Sequence, residues 1–90
     1  MVSIEMPLKD YTFLKKYFDD IDRYIIGIRY LEKDVIFDIQ DQRFEEFKLD
    51  YRSMIVRKGY EGRVSINDIG VRMNHIYDYY IEPTGDFLHS

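Results

Sequence analysis

Apolar residues recur along the chain with two different periods. Tyr11, Leu14, Phe18, Ile21 and Ile25 step by three and four, the spacing of one helical face, and Pro7 stands where a first helical turn accommodates proline. A helix from about Pro7 to Asp20 is predicted. It ends there because Asp19, Asp20 and Asp22 put negative charge where the helix dipole disfavours it. From Arg23 to Gln40, RYIIGIRYLEKDVIFDIQ is rich in β-branched and aromatic residues, with LEKD as a turn between two strands. Val35, Phe37 and Ile39 alternate with Asp34 and Asp38, the pattern of a half-buried strand over 34–40.

The next segment, EFKLDYRSMIVR, reads two ways. Phe47, Leu49 and Tyr51 alternate, whereas Phe44, Phe47, Tyr51 and Ile55 suit a helix. Leu49 favours a strand over 46–52, since a helix puts it on the wet side. KGYEGR follows as a glycine-bounded loop. In the last element Ile66, Ile69, Met73, Ile76 and Tyr80 step by three and four, Ser65 caps, Asp68 holds the capping-box position and Pro83 stops the helix. The expected fold is therefore α+β: helix, three-stranded antiparallel sheet, helix, with both helices on one face of the sheet. Residues 1–90 form one small domain with a loose tail from about residue 83, from which Phe87 and Leu88 can still dock.

This helix-strand-strand-strand-helix order resembles the double-stranded RNA-binding domain, in topology alone. That resemblance implies a lysine-rich start to the last helix, but the helix here opens SINDIG and has Arg72 as its single base, so nucleic acid is not an expected partner.

If strands 34–40 and 46–52 pair as a hairpin, Val35, Phe37, Ile39, Phe47, Leu49 and Tyr51 share one face. Asp34, Asp38, Glu46, Lys48 and Asp50 share the other. A register placing Asp38 opposite Lys48 relieves the repulsion between acids. With the helices on the apolar face, the acidic face meets water or a partner. Tyr77, Tyr79 and Tyr80 cannot all face one core from one helix, so Tyr79 is exposed. Asp34, Asp38, Glu46, Asp50 and Tyr79 are thus the candidate partner-binding residues, set against the plainer reading of a wet sheet face.

Composition narrows the classes. The chain is 46% apolar and 33% charged, which fits a folded soluble protein, and 17 acids against 13 bases give a net charge of −4, opposing general affinity for phosphate backbones. It has no cysteine, hence no disulfide, thiolate zinc site or cysteine nucleophile, as suits a cytoplasmic protein. MVSIEMPLKD lacks signal-peptide features, and YIIGI is too short to span a bilayer, so no membrane association is expected. Nine tyrosines and six phenylalanines without tryptophan supply core bulk and interface anchors.

Catalytic chemistry finds no footing. His75 and His89 have no nucleophile placed beside them, and DDID at 19–22 lacks the glycine turn and distal Glu of a calcium loop. No catalytic residue, metal ligand or cofactor is assigned. Arg52, Arg57, Lys58, Arg63 and Arg72 form a local basic excess, and GYEG within it reads as a turn. The expected function is a small acidic, non-enzymatic interaction protein that regulates or inhibits a larger macromolecule, basic or nucleic-acid-handling, as immunity proteins, antitoxins and phage inhibitors do. A homo-oligomeric assembly domain is the second reading, and a small metal-dependent enzyme the third.

Overall fold

Val2, Ile4 and Met6 alternate with Ser3 and Glu5, and this period of two makes the N-terminus a strand. A computed structural model describes residues 1–60 and 66–84. Its elements run β1 (Val2–Pro7), α1 (Leu8–Tyr17), a 3-10 turn (Asp19–Arg23), β2 (Ile25–Tyr30), β3 (Asp34–Ile39), α2 (Asp41–Tyr60) and α3 (Asp68–Ile76). A π-helical turn over Tyr77–Ile81 continues α3, and helical structure runs on through residue 84. The protein is α+β with a three-stranded antiparallel sheet of order β1-β3-β2.

The third strand is the main departure from the sequence reading. Residues 46–52 are helical, inside α2, and the strand that completes the sheet comes from the N-terminus. The helical spacing of Phe44, Phe47, Tyr51 and Ile55 prevails because all four are buried by it together with Met54. Leu49 accordingly lies in water, 63% exposed, which costs little because single exposed apolar side chains are ordinary on folded proteins. With a strand at the start of the chain, the order no longer matches that of the double-stranded RNA-binding domain. The first helix is also shorter than expected: it starts after Pro7 and gives way to the 3-10 turn holding Asp19, Asp20 and Asp22.

Register fixes which sheet residues face the core. Ile4 pairs with Phe37, Met6 with Val35 and Val2 with Ile39, and all six are buried. They join Tyr11, Leu14 and Phe18 of the first helical segment, Phe47 and Tyr51 of α2 and Met73 and Ile76 of α3 in one cluster. The core therefore lies on one side of the sheet. An aromatic stack runs through it: Phe47 lies between Phe18, at 6.0 Å between ring centroids, and Tyr24, at 5.5 Å. The Tyr51 hydroxyl, buried with it, donates to the Met73 carbonyl at 2.7 Å, so its polar atom is satisfied and ties α2 to α3.

The two helices approach most closely at two glycines. A Cβ built on Gly59 would lie 2.8 Å from Gly70 Cα, and one on Gly70 would lie 2.7 Å from Gly59 Cα, so only hydrogen fits at either position. Asn67 caps the start of α3: its side-chain oxygen accepts from the Gly70 N–H at 2.9 Å, and its amide donates to the Lys58 carbonyl at 3.0 Å. The expected cap, Ser65, lies outside the described residues. So do Glu61 and Gly62 of GYEG, Arg63 and the tail from residue 85, including Phe87, Leu88 and His89. Gly59 and Tyr60 belong to the last turn of α2 and not to a loop.

Candidate interaction surface

Alternation along β1 and β3 that buries one face must expose the other. Register places Ser3, Asp38 and Gly27 in one cross-strand row of the outer face and Glu5, Ile36 and Arg29 in the next, with Asp34 opposite Pro7 at the margin. Ser3 and Glu5 are exposed, and Asp34, Ile36 and Asp38, on the central strand, are half-buried between their neighbours. Ser3 Oγ donates to Asp38 Oδ1 at 2.6 Å, and the Arg29 guanidinium lies 3.7 Å from the same oxygen. The other Asp38 oxygen leans over Gly27, 3.2 Å from where a Cβ would stand. Among the described residues no ion pair engages Glu5 or Asp34, so this face carries three acids against one base. Glu5, Met6, Pro7, Asp34 and Tyr80 border a shallow hollow of about 190 Å³, too small for a drug-sized ligand.

The five residues singled out from the sequence are not brought together. Asp34 and Asp38 share the outer sheet face. Glu46 and Asp50 lie on α2, because that segment is a helix, and there they serve the fold. Asp50 accepts a hydrogen bond from the Tyr24 hydroxyl. Glu46 lies 3.6 Å from Arg43 Nε, whose guanidinium sits 4.6 Å from the Tyr24 ring centroid and donates to the Arg23 carbonyl at 2.6 Å. This group fastens α2 to the segment before β2. Tyr79 is exposed as expected and stacks on His75 with ring centroids 4.2 Å apart. Its neighbour Tyr80 borders the same hollow as Glu5 and Asp34.

Sequence reasoning missed Ser3, Glu5 and Arg29 of the outer face; a signal was available for the first two, the strict alternation of VSIEM. Two of the three acids of DDID are spent locally, Asp22 on Lys15 at 2.7 Å and Asp20 on Arg23 at 3.8 Å. Among the described residues no group of three His, Cys, Asp or Glu side chains is arranged to hold a metal ion, and no helix is long and apolar enough to cross a membrane. Of the basic cluster, Arg72 pairs with the buried Asp10 at 3.2 Å and lies over the Phe13 ring, so it belongs to the packing between α1 and α3.

The tyrosines give the protein a defined alkaline limit. Burial, then the hydrogen bond to Asp50, pushes the Tyr24 hydroxyl up to about 12; burial, then Glu82, does the same for Tyr77; burial raises Tyr51 further. Each raised value means that the folded state holds a proton which the unfolded chain releases near pH 10. Their contribution to stability is intact below pH 10 and is lost as the pH climbs toward about 12. Denaturation midpoints are expected to stay level from pH 8 to about 10 and then fall as the pH approaches about 12.

Comparison with known protein families, with curated protein sequences and with solved structures finds no match to this chain.

Proposed function

We propose that this protein is a non-enzymatic interaction module, a small acidic domain that docks on a larger, basic or nucleic-acid-handling macromolecule and regulates or inhibits it. The observation that carries this reading is the outer sheet face, where Glu5, Asp34 and Asp38 surround Ile36 with Arg29 as the one base. An apolar centre rimmed by charge is the layout of a protein-binding patch, and acids of one sign steer a basic partner toward it. The hollow at this face is smaller than a ligand pocket, which favours a macromolecule over a small substrate.

Glu5→Lys combined with Asp34→Lys tests the proposal. Both side chains project from the outer face away from the core, so the fold is expected to survive. The wild-type protein is expected to retain a basic partner at low salt and release it as salt rises, and the double variant to retain none. Equal retention by the two forms, or no specific retention by the wild type, contradicts it.

A further inference from the structure

Among the described residues the sheet has one free edge, and it carries little protection. β1 at one margin is flanked by the π-helical turn, whereas among the described residues nothing pairs with the outer side of β2. Edge strands are ordinarily guarded by lysine, proline or inward charge, since a row of unsatisfied N–H and C=O groups is a template for another strand. β2 has neither lysine nor proline; its guards are the charge of Arg29 and a bulge at Ile26. Its side chains and the adjoining turn are apolar and in water: Ile26 is 52% exposed, Tyr30 63% and Leu31 48%, with Ile28 between them at 36%. Elsewhere exposed large apolar residues such as Leu49, Val56 and Val71 are separate points on helices. Four within six consecutive residues is a different situation, an apolar strip along an unsatisfied backbone.

We infer that β2 pairs with β2 of a second copy of this chain, antiparallel about a two-fold axis at Ile28, giving a continuous six-stranded sheet. The register follows from the side chains. An antiparallel two-fold normal to the sheet keeps both cores on one side and requires that facing residues point the same way. Centring it on Arg29 sets two guanidinium groups against each other, and centring it on Gly27 puts the bulge in the middle of the ladder. Centring it on Ile28 sets Ile28 against its own copy, Tyr30 against Ile26, and Arg29 against Gly27.

That last pairing supplies the charge complement. Gly27 has no side chain and is cross-strand partner to Asp38, one of whose carboxylate oxygens lies 3.2 Å from where a Gly27 Cβ would stand. Within one chain Arg29 already lies 3.7 Å from Asp38 Oδ1; at the two-fold it also stands opposite the second copy's Gly27, where no side chain separates it from that copy's Asp38, so each arginine bridges two acids. Ser3, on the far side of Asp38, and its own chain's Arg29 both engage Asp38 Oδ1. The paired segment is about five residues long, so the interface belongs to the small class, under about 1,200 Å² in total, and the dimer is a reversible one.

The inference shares Arg29 and Asp38 with the outer face but concerns the strand edge, and it is tested separately. The chain has no cysteine, so Ile28→Cys introduces a unique thiol at the axis, and Leu49→Cys one on the exposed side of α2 as a control. With a short bismaleimide, the Ile28→Cys variant is expected to give a covalent dimer about tenfold faster than the Leu49→Cys variant, because pairing raises the effective concentration of facing thiols. Sedimentation equilibrium of the unmodified chain is expected to show the average mass rising toward that of a dimer through the micromolar range. Arg29→Glu, which sets an acid against Asp38, is expected to weaken the association by about tenfold or more. An unmodified chain that stays monomeric at high micromolar concentration overturns the inference and leaves the retention experiment on Glu5 and Asp34 unaffected. Self-association without preferential linkage at position 28 overturns it as well, since another surface is then responsible.

Discussion

Replacing Phe47 by alanine is expected to cost about 3–5 kcal/mol, while replacing Leu49 by lysine is expected to change stability by less than about 0.5 kcal/mol. Phe47 is wholly buried and its ring meets Phe18, Tyr24, Phe44 and Tyr51 at centroid distances from 5.5 to 6.3 Å. Truncation removes both its transfer free energy and the contacts of four rings that cannot close the gap from a helix and a turn at once. Since a small domain has about 5–15 kcal/mol in all, the variant lies close to unfolding. The pair of substitutions also separates the two readings of this segment. In a strand, residues 47 and 49 share a face and both changes are severe; in α2 they lie on different faces and only one is. Urea denaturation of the two variants decides it: a Leu49→Lys midpoint far below wild type contradicts the helix.

Gly70→Ala is expected to cost about 1–3 kcal/mol, against the usual gain of replacing a helical glycine. In an isolated helix alanine is favoured over glycine by about 1 kcal/mol. Here the new Cβ would stand 2.7 Å from Gly59 Cα and 2.6 Å from Ile66 Cγ1. The isoleucine can turn aside, but the Gly59 backbone moves only by shifting α2, and α2 is held by Phe47 and Tyr51 in the centre of the core. Overpacking therefore outweighs propensity. Gly27→Ala is the contrast, since its nearest neighbour is a carboxylate oxygen at 3.2 Å that can rotate away. A thermal midpoint for Gly70→Ala equal to or above that of wild type would show that α2 and α3 do not approach so closely.

The parts of the fold legible in the sequence are those in which one period had no rival. Tyr11, Leu14, Phe18 and Ile21 are all buried, as their spacing indicates, and so are Val35, Phe37 and Ile39 and, on the last helix, Met73 and Ile76. Residues 44–55 were ambiguous because Phe47 and Tyr51 fit both periods. Leu49 tipped the balance wrongly, since a lone exposed leucine carries little penalty, whereas leaving Phe44, Met54 and Ile55 outside a core carries a large one. β1 was legible in Val2, Ile4 and Met6 but was eclipsed by the helix that begins directly after Pro7.

The candidate surface was half legible for the same reason. Asp34 and Asp38 keep their place on the outer face because β3 is a strand, while Glu46 and Asp50 leave it with α2. Their replacements, Ser3 and Glu5, come from the other end of the chain, and a pairing between residues 3 and 38 has no signature in local spacing. The free edge of β2 is likewise a property of sheet order. Ile26, Ile28 and Tyr30 read as ordinary core residues until β3 is placed at the centre and β2 at the margin.

The central claim, that the outer sheet face receives a partner, is tested most directly by photocrosslinking from within it. A benzophenone amino acid at position 5, on the outer face, is compared with one at position 56, where Val56 is 62% exposed on α2. In the protein's native cells, position 5 is expected to yield a discrete adduct with a basic protein, lost when Asp34→Lys is added, and position 56 to yield none. No adduct from position 5, or the same adducts from both positions, contradicts the account.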